Sequence, residues 1–163
     1  MIVVSNTGPL IALAKADQLA LLKQLFGQVL IPPAVQRELL AKSGPESARL
    51  DEALMGSIKV TQSPSLSPEV KIATLRLDVG EQYAIALAYE RKASLVIIDE
   101  RLGRAAARQL GLTVTGMAGV LVRAKEAGLI PAVRPLLEEI RQGGYWLSDE
   151  ILDIATRLAG ETD

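Results

Sequence analysis

The sequence holds no histidine and no cysteine in 163 residues. That removes the usual general base and the commonest nitrogen ligand for zinc, and it excludes disulfides and thiolate metal sites. Carboxylates are left as the side chains for acid–base or metal chemistry, and oxygen donors of that kind suit Mg²⁺ or Mn²⁺. Asp99 and Glu100 directly follow the apolar run Ser94 to Ile98, and Asn6 directly follows Ile2 to Ser5. Glu38 shares a helical stripe with Ala34, Val35 and Leu39, and Glu81 shares one with Ile85 and Ala88, so each sits on or beside an apolar face. A carboxylate there is costly as an ion, or is driven neutral, unless a cation or hydrogen bonds offset it.

Each of these acids also has a plainer use. Asp78 and Glu81 suit the first turn of a helix, where the macrodipole favours negative charge. Asp99 equally suits the cap of a helix beginning at Arg101, and Glu38 suits a boundary residue paired with a Lys or Arg. The weight lies in convergence, because several independent elements bring acids to one place and the resulting repulsion favours a divalent cation.

The elements that must position them alternate along the chain. Ile2 to Ser5 reads as a buried strand halted by Asn6-Thr7-Gly8-Pro9. An Ala- and Leu-rich helical stretch runs from Pro9 to Phe26, with Pro9 at the first helical position and Asp17 as a cap restarting a second helix. Val29 to Ile31 is the next strand, Pro32-Pro33 opens a helix to about Lys42, and Ser43-Gly44-Pro45 breaks it before a helix over Glu46 to Met55. Ile58 to Thr61 reads as a short strand, Gln62 to Pro68 as an exposed, flexible loop, and Pro68 to Leu77 as helical. Then follow helix Gly80 to Lys92, strand Ser94 to Ile98, helix Arg101 to Leu110, strand Leu112 to Thr115 and helix Met117 to Ala127 with Gly128 past its end. Beyond Pro131 come a helix, Gly143-Gly144, the short Tyr145-Trp146-Leu147 and a last helix from about Asp149. Alternation with uniformly apolar strands predicts an α/β fold whose parallel sheet is covered on both faces. Ligands of such sheets bind beyond the carboxyl ends of the strands, the edge where Asn6, Glu38, Glu81, Asp99 and Glu100 fall.

Bulk numbers fit one domain with a real core: 49% of residues are apolar and 3% aromatic. Eighteen Lys and Arg against nineteen Asp and Glu leave a formal charge of −1, so contact with a polyanion must come from a local patch. No apolar run reaches the roughly 18 to 20 residues that span a bilayer, and the opening MIVVSNTGPL lacks a basic leader. The expectation is a cytoplasmic protein with no membrane partner. Leu10, Ile11, Leu13, Leu19, Leu21, Leu22 and Leu25 occupy several sides of their helices, and that surplus predicts a homodimer.

The stretches VVSNTGPLIAL, VLIPPAVQREL, LDVGEQYAIALA, LVIIDERLGRAAARQLGL and GVLVRAKEAGLI, in that order and spacing, resemble the PIN-domain superfamily. Within it they are similar to small stand-alone bacterial and archaeal proteins like the toxin half of VapBC-type toxin–antitoxin pairs. The resemblance covers most of the chain. It implies a three-layer α/β/α fold with a central, mainly parallel sheet, over one domain of residues 1–163 in which about 129–163 form a C-terminal helical extension. It further implies a metal-dependent endoribonuclease that uses Mg²⁺ or Mn²⁺, acts on RNA and has an antitoxin protein as partner. The family's ring of acids falls on Asn6, Glu38, Glu81 and Asp99, with Glu100 adjacent as a further ligand; Glu38, Glu81 and Asp99 are the catalytic carboxylates. Asn6 departs from the pattern, since active members usually place Asp there and an amide brings no negative charge.

Ser5 and Thr7, flanking Asn6, are candidates to hydrogen-bond a ligand, although Thr7 also suits the turn. Arg104, between Arg101 and Arg108 on one helix, is a candidate phosphate contact, although exposed Arg on a helix usually faces solvent. Two other readings compete. A PIN-fold binding or regulatory module with weak catalysis is favoured by Asn6. A phospho-acceptor receiver or a dinucleotide-binding protein is disfavoured, because the first strand ends on Asn6-Thr7 without an acidic pair and no G-x-G-x-x-G run occurs.

Overall fold

The computed structural model describes residues 1–161. Its centre is a five-stranded, wholly parallel sheet built from β1 (Val3–Ser5), β2 (Val29–Ile31), β3 (Ile58–Val60), β4 (Leu95–Ile97) and β5 (Val114–Thr115), in the order β3-β2-β1-β4-β5. Ten helices flank it among the described residues, giving a three-layer α/β/α arrangement. The central strands are apolar because both their faces are covered: Val3, Val4, Val96 and Ile97 are wholly buried, whereas Lys59 on the outer β3 is exposed.

The register joins distant parts of the chain. Val3, Val4 and Ser5 pair with Leu95, Val96 and Ile97, and the Asn6 N–H donates to the Ile97 carbonyl at 2.9 Å. Strand order reverses between β1 and β4, the kind of switch point beyond which open α/β sheets leave a crevice.

The helices start and stop for local reasons. α1 (Thr7–Lys15) begins two residues before Pro9, which is tolerated because first-turn N–H groups have no partner inside the helix. Asp17 does not restart the next helix; it sits at φ 53° in a left-handed turn, a conformation that Asp tolerates better than most residues, and α2 (Ala20–Phe26) opens after Leu19. α3 (Pro33–Ala41) and α4 (Ser47–Leu54) follow. α5 (Pro68–Ala73) is shorter than Pro68 to Leu77, and the Thr74 hydroxyl closes its end on the Val70 carbonyl at 2.6 Å. α6 (Val79–Arg91) packs on β1 and β4, and α3 packs along α6. α7 (Arg101–Gln109) and α8 (Met117–Glu126) precede and follow β5. Gly128, at φ 76°, lies past the end of α8 as a left-handed stop.

α9 (Arg134–Gln142) and α10 (Asp149–Leu158) complete the chain. Glu161 secures them, accepting the N–H groups of Val133 and Arg134 at 2.7 and 3.0 Å and pairing with Lys125. Residues 162–163, the end of the expected C-terminal extension, lie outside the described residues.

Leu10, Leu13, Leu19, Leu21 and Leu22 are all buried within the chain itself. α3, α4, α8 and α9 all contact α1, and Ile11 and Leu25 of the same apolar set are partly buried. Among the described residues no helix is long and apolar enough to cross a membrane.

Candidate active site

An open cleft of about 190 Å³ lies at the carboxyl edge of the sheet, and Asn6, Thr7, Glu38, Glu81, Asp99 and Glu100 all line it. Each arrives on its own element. Asn6 caps α1 in position but not in bonding: its backbone is extended and its side chain makes no capping hydrogen bond. It is 6% exposed, and its Oδ1 has no partner among the described residues. A buried acceptor left unpaired costs about 1–3 kcal/mol, so the unused oxygen stands out as a place for a ligand.

Glu81 repeats the pattern. Its backbone N–H is taken by Asp78 Oδ1 at 2.8 Å, so Asp78 is the cap of α6 and Glu81 is free for another role. Glu81 is 7% exposed and its Oε2 is also without a partner among the described residues. Burial, above all, then a side-chain hydrogen bond with Asp78 and the nearby Asp78, Glu100 and Glu38 charges push its pKa up to about 8.

Glu38 is held from the first helix, accepting the Thr7 hydroxyl at Oε2 over 3.0 Å. Its carboxyl group lies against Gly80 of α6, where a Cβ would overlap Oε1. Gly103 of α7 does the same for Glu81, since a Cβ there would collide with Oε2 and stand 3.0 Å from Ile98 Cγ2. The two glycines let neighbouring helices close on the carboxylates.

Asp99 is bound at both oxygens. Oδ1 accepts the Met117 N–H at 2.7 Å and Oδ2 accepts the Tyr145 hydroxyl. Its capping role is therefore to α8, and the helix that begins two residues after it has no side-chain cap. Burial pushes the Asp99 carboxyl above its ordinary range, opposed by the Tyr145 hydroxyl, the Met117 N–H and the Arg104 charge. Tyr145 is pushed up in turn by burial and by Asp99.

The other predicted residues separate. Ser5 is wholly buried and spends its hydroxyl on the Asn6 carbonyl at 2.9 Å. Arg104 turns inward, donating to the Ile98 carbonyl at 3.0 Å, while Arg101 and Arg108 face solvent. Glu100 is exposed on the cleft rim. Lys42 and Tyr145 are among the lining residues that sequence reasoning passed over. Lys42 had a signal, since it follows Glu38 by one helical turn. Tyr145 had none beyond being one of few aromatic residues.

The donor set fits a hard divalent cation in kind: amide and carboxylate oxygens, two of them buried and unpaired. It is not closed around one point, because among the described residues no three acids stand together closely enough to hold a single ion. Thr7 restrains Glu38, and Tyr145 and Met117 restrain Asp99. Among the described residues, the buried side-chain oxygens left without a partner are Asn6 Oδ1 and Glu81 Oε2.

A family model described as a PIN domain matches residues 2–161, nearly the whole chain. No protein of curated function matches it significantly.

Proposed function

Because the chain belongs to the PIN-domain family, we propose that it is a metal-dependent endoribonuclease that hydrolyses RNA phosphodiester bonds in the cleft at the carboxyl edge of its sheet. One observation carries this reading. Two buried oxygens from different elements, Asn6 Oδ1 and Glu81 Oε2, belong to residues that line the same cleft and have no partner among the described residues.

Asn6, Glu38, Glu81 and Asp99 are the residues proposed to hold Mg²⁺ or Mn²⁺, with Glu100 in reserve. When bound there, such an ion supplies Lewis acidity toward a phosphoryl oxygen and toward water. The protein's own residues do the rest. Glu81, whose pKa is pushed up to about 8, holds a proton in the metal-free cleft and would become an oxygen donor on giving that proton to solvent. Thr7 keeps Glu38 turned into the cleft. Lys42 on the cleft wall is a cation available to a phosphate, whereas Arg104 is occupied by the Ile98 carbonyl and offsets the Asp99 charge. A role as the toxin of a toxin–antitoxin pair belongs to the same proposal, and an antitoxin would be its partner.

Asn6 favours a second reading, a PIN-fold binding or regulatory module of weak catalysis, since the amide brings no charge to the site. Calorimetric Mn²⁺ titration together with a time course on single-stranded RNA of mixed sequence separates the two. The nuclease reading expects binding and cleavage by the wild type, with both weakened in Asp99→Asn and Glu38→Gln while the folds persist. Metal binding without cleavage selects the module; variants that melt markedly lower with unchanged Mn²⁺ affinity would make the acids structural.

A further inference from the structure

Tyr145 stands in the segment between α9 and α10, remote in sequence from every proposed ligand, yet its hydroxyl donates to Asp99 Oδ2. With Oδ1 engaged by the Met117 N–H at 2.7 Å, the Asp99 carboxylate is fixed at both ends. It cannot turn about its last bond without breaking a hydrogen bond.

The surroundings make room for this contact. Position 8 is glycine within α1, and a Cβ there would stand 3.0 Å from the Tyr145 hydroxyl oxygen. Gly8 shows no left-handed φ, so its backbone does not require glycine, and glycine inside a helix costs about 1 kcal/mol relative to alanine. Space for the phenol is what the missing side chain provides. The ring lines the cleft together with Asn6, Glu38 and Glu81. A carboxylate oxygen that accepts one hydrogen bond keeps a second lone pair, so Asp99 stays available while its orientation is set.

We propose that Tyr145 is a positioning residue of the acidic cleft: by holding Asp99 Oδ2 it fixes the carboxylate edge presented to a divalent cation, so the α9–α10 segment shapes the site without supplying a ligand. The inference rests on the cation-binding reading above. Hydrogen-bond partners of metal-binding side chains typically contribute about 10- to 100-fold to metal affinity.

The test is Mn²⁺ calorimetry on the full chain as wild type, Tyr145→Phe and Gly8→Ala. The first variant removes only the hydroxyl; the second keeps it but obstructs its approach. Tyr145→Phe is expected to weaken Mn²⁺ binding by at least roughly tenfold, and Gly8→Ala to weaken it in the same direction, both with wild-type circular dichroism. A lower melting temperature does not discriminate, because a purely structural hydrogen bond would also produce it. Wild-type affinity in a folded Tyr145→Phe overturns this inference and leaves the cation site standing. No Mn²⁺ binding by the wild type overturns the cation site and this inference with it. If Tyr145→Phe does not fold, Gly8→Ala decides: weakened binding supports the positioning role, and unchanged binding overturns it.

Discussion

The carboxyl group of Glu38 rests against the Cα of Gly80, in space that any side chain at position 80 would fill. Two helices thereby approach closely, with a charged group between them. Gly80→Ala sets two effects against each other. Alanine favours the helix by about 1 kcal/mol, and its methyl evicts the end of a flexible side chain. Stability is expected to change by no more than about 1 kcal/mol, while Glu38 leaves Thr7 and Mn²⁺ affinity falls. Urea unfolding paired with calorimetry checks this, and an unchanged affinity would show that Glu38 does not serve the cation.

Glu81 predicts a pH dependence whose sign is fixed by its raised pKa. Unfolded, the carboxyl titrates near its ordinary 4.5; folded and free of metal, near 8. Between these values the folded state holds a proton that the unfolded state has lost, so stability falls as pH rises. The contribution is fully present below about pH 4.5 and is lost by passage through about pH 8. At 1.36 kcal/mol per unit it amounts to at most roughly 5 kcal/mol. Metal-free wild type should therefore melt lower at pH 8.5 than at pH 6, and Glu81→Gln should flatten that slope. A slope that persists in the variant would assign it to another group.

Much of this site was legible before the structure. Strand tips at Asn6 and Asp99 follow from apolar runs that stop on polar residues, and Glu38 follows from a carboxylate misplaced on an apolar helical stripe. The pairings were not legible. Asp99 reaches past its own following helix to cap α8 because the parallel sheet brings β5 alongside β4, a relation that local pattern does not encode. Tyr145 escapes for the same reason, since its partner lies more than one element away in sequence. The apolar surplus of α1 and α2 was visible as well, but not that α3, α4, α8 and α9 would pack around α1.

Asn6→Asp tests how much the missing charge matters. Asp adds a negative charge to a cleft that Glu38, Asp99 and Glu100 also line, so the metal-free variant should be less stable than wild type. Added ligand charge should tighten a hard divalent cation, so Mn²⁺ binding and RNA cleavage are both expected to rise. Equal cleavage by the two proteins would mean the amide suffices. No binding and no cleavage by either would sink the nuclease reading.

The pairing of Val3, Val4 and Ser5 with Leu95, Val96 and Ile97 also sets the order in which the protein can be made. Asn6, Glu38 and Glu81 all leave the ribosome before β4 exists, and contacts so distant along the chain form slowly because a long loop must first be closed. A nascent or truncated chain ending before β4 carries three of the cleft's proposed ligands with no frame to bring them together. Whatever the cleft does, an unfinished copy lacks the strand that assembles it.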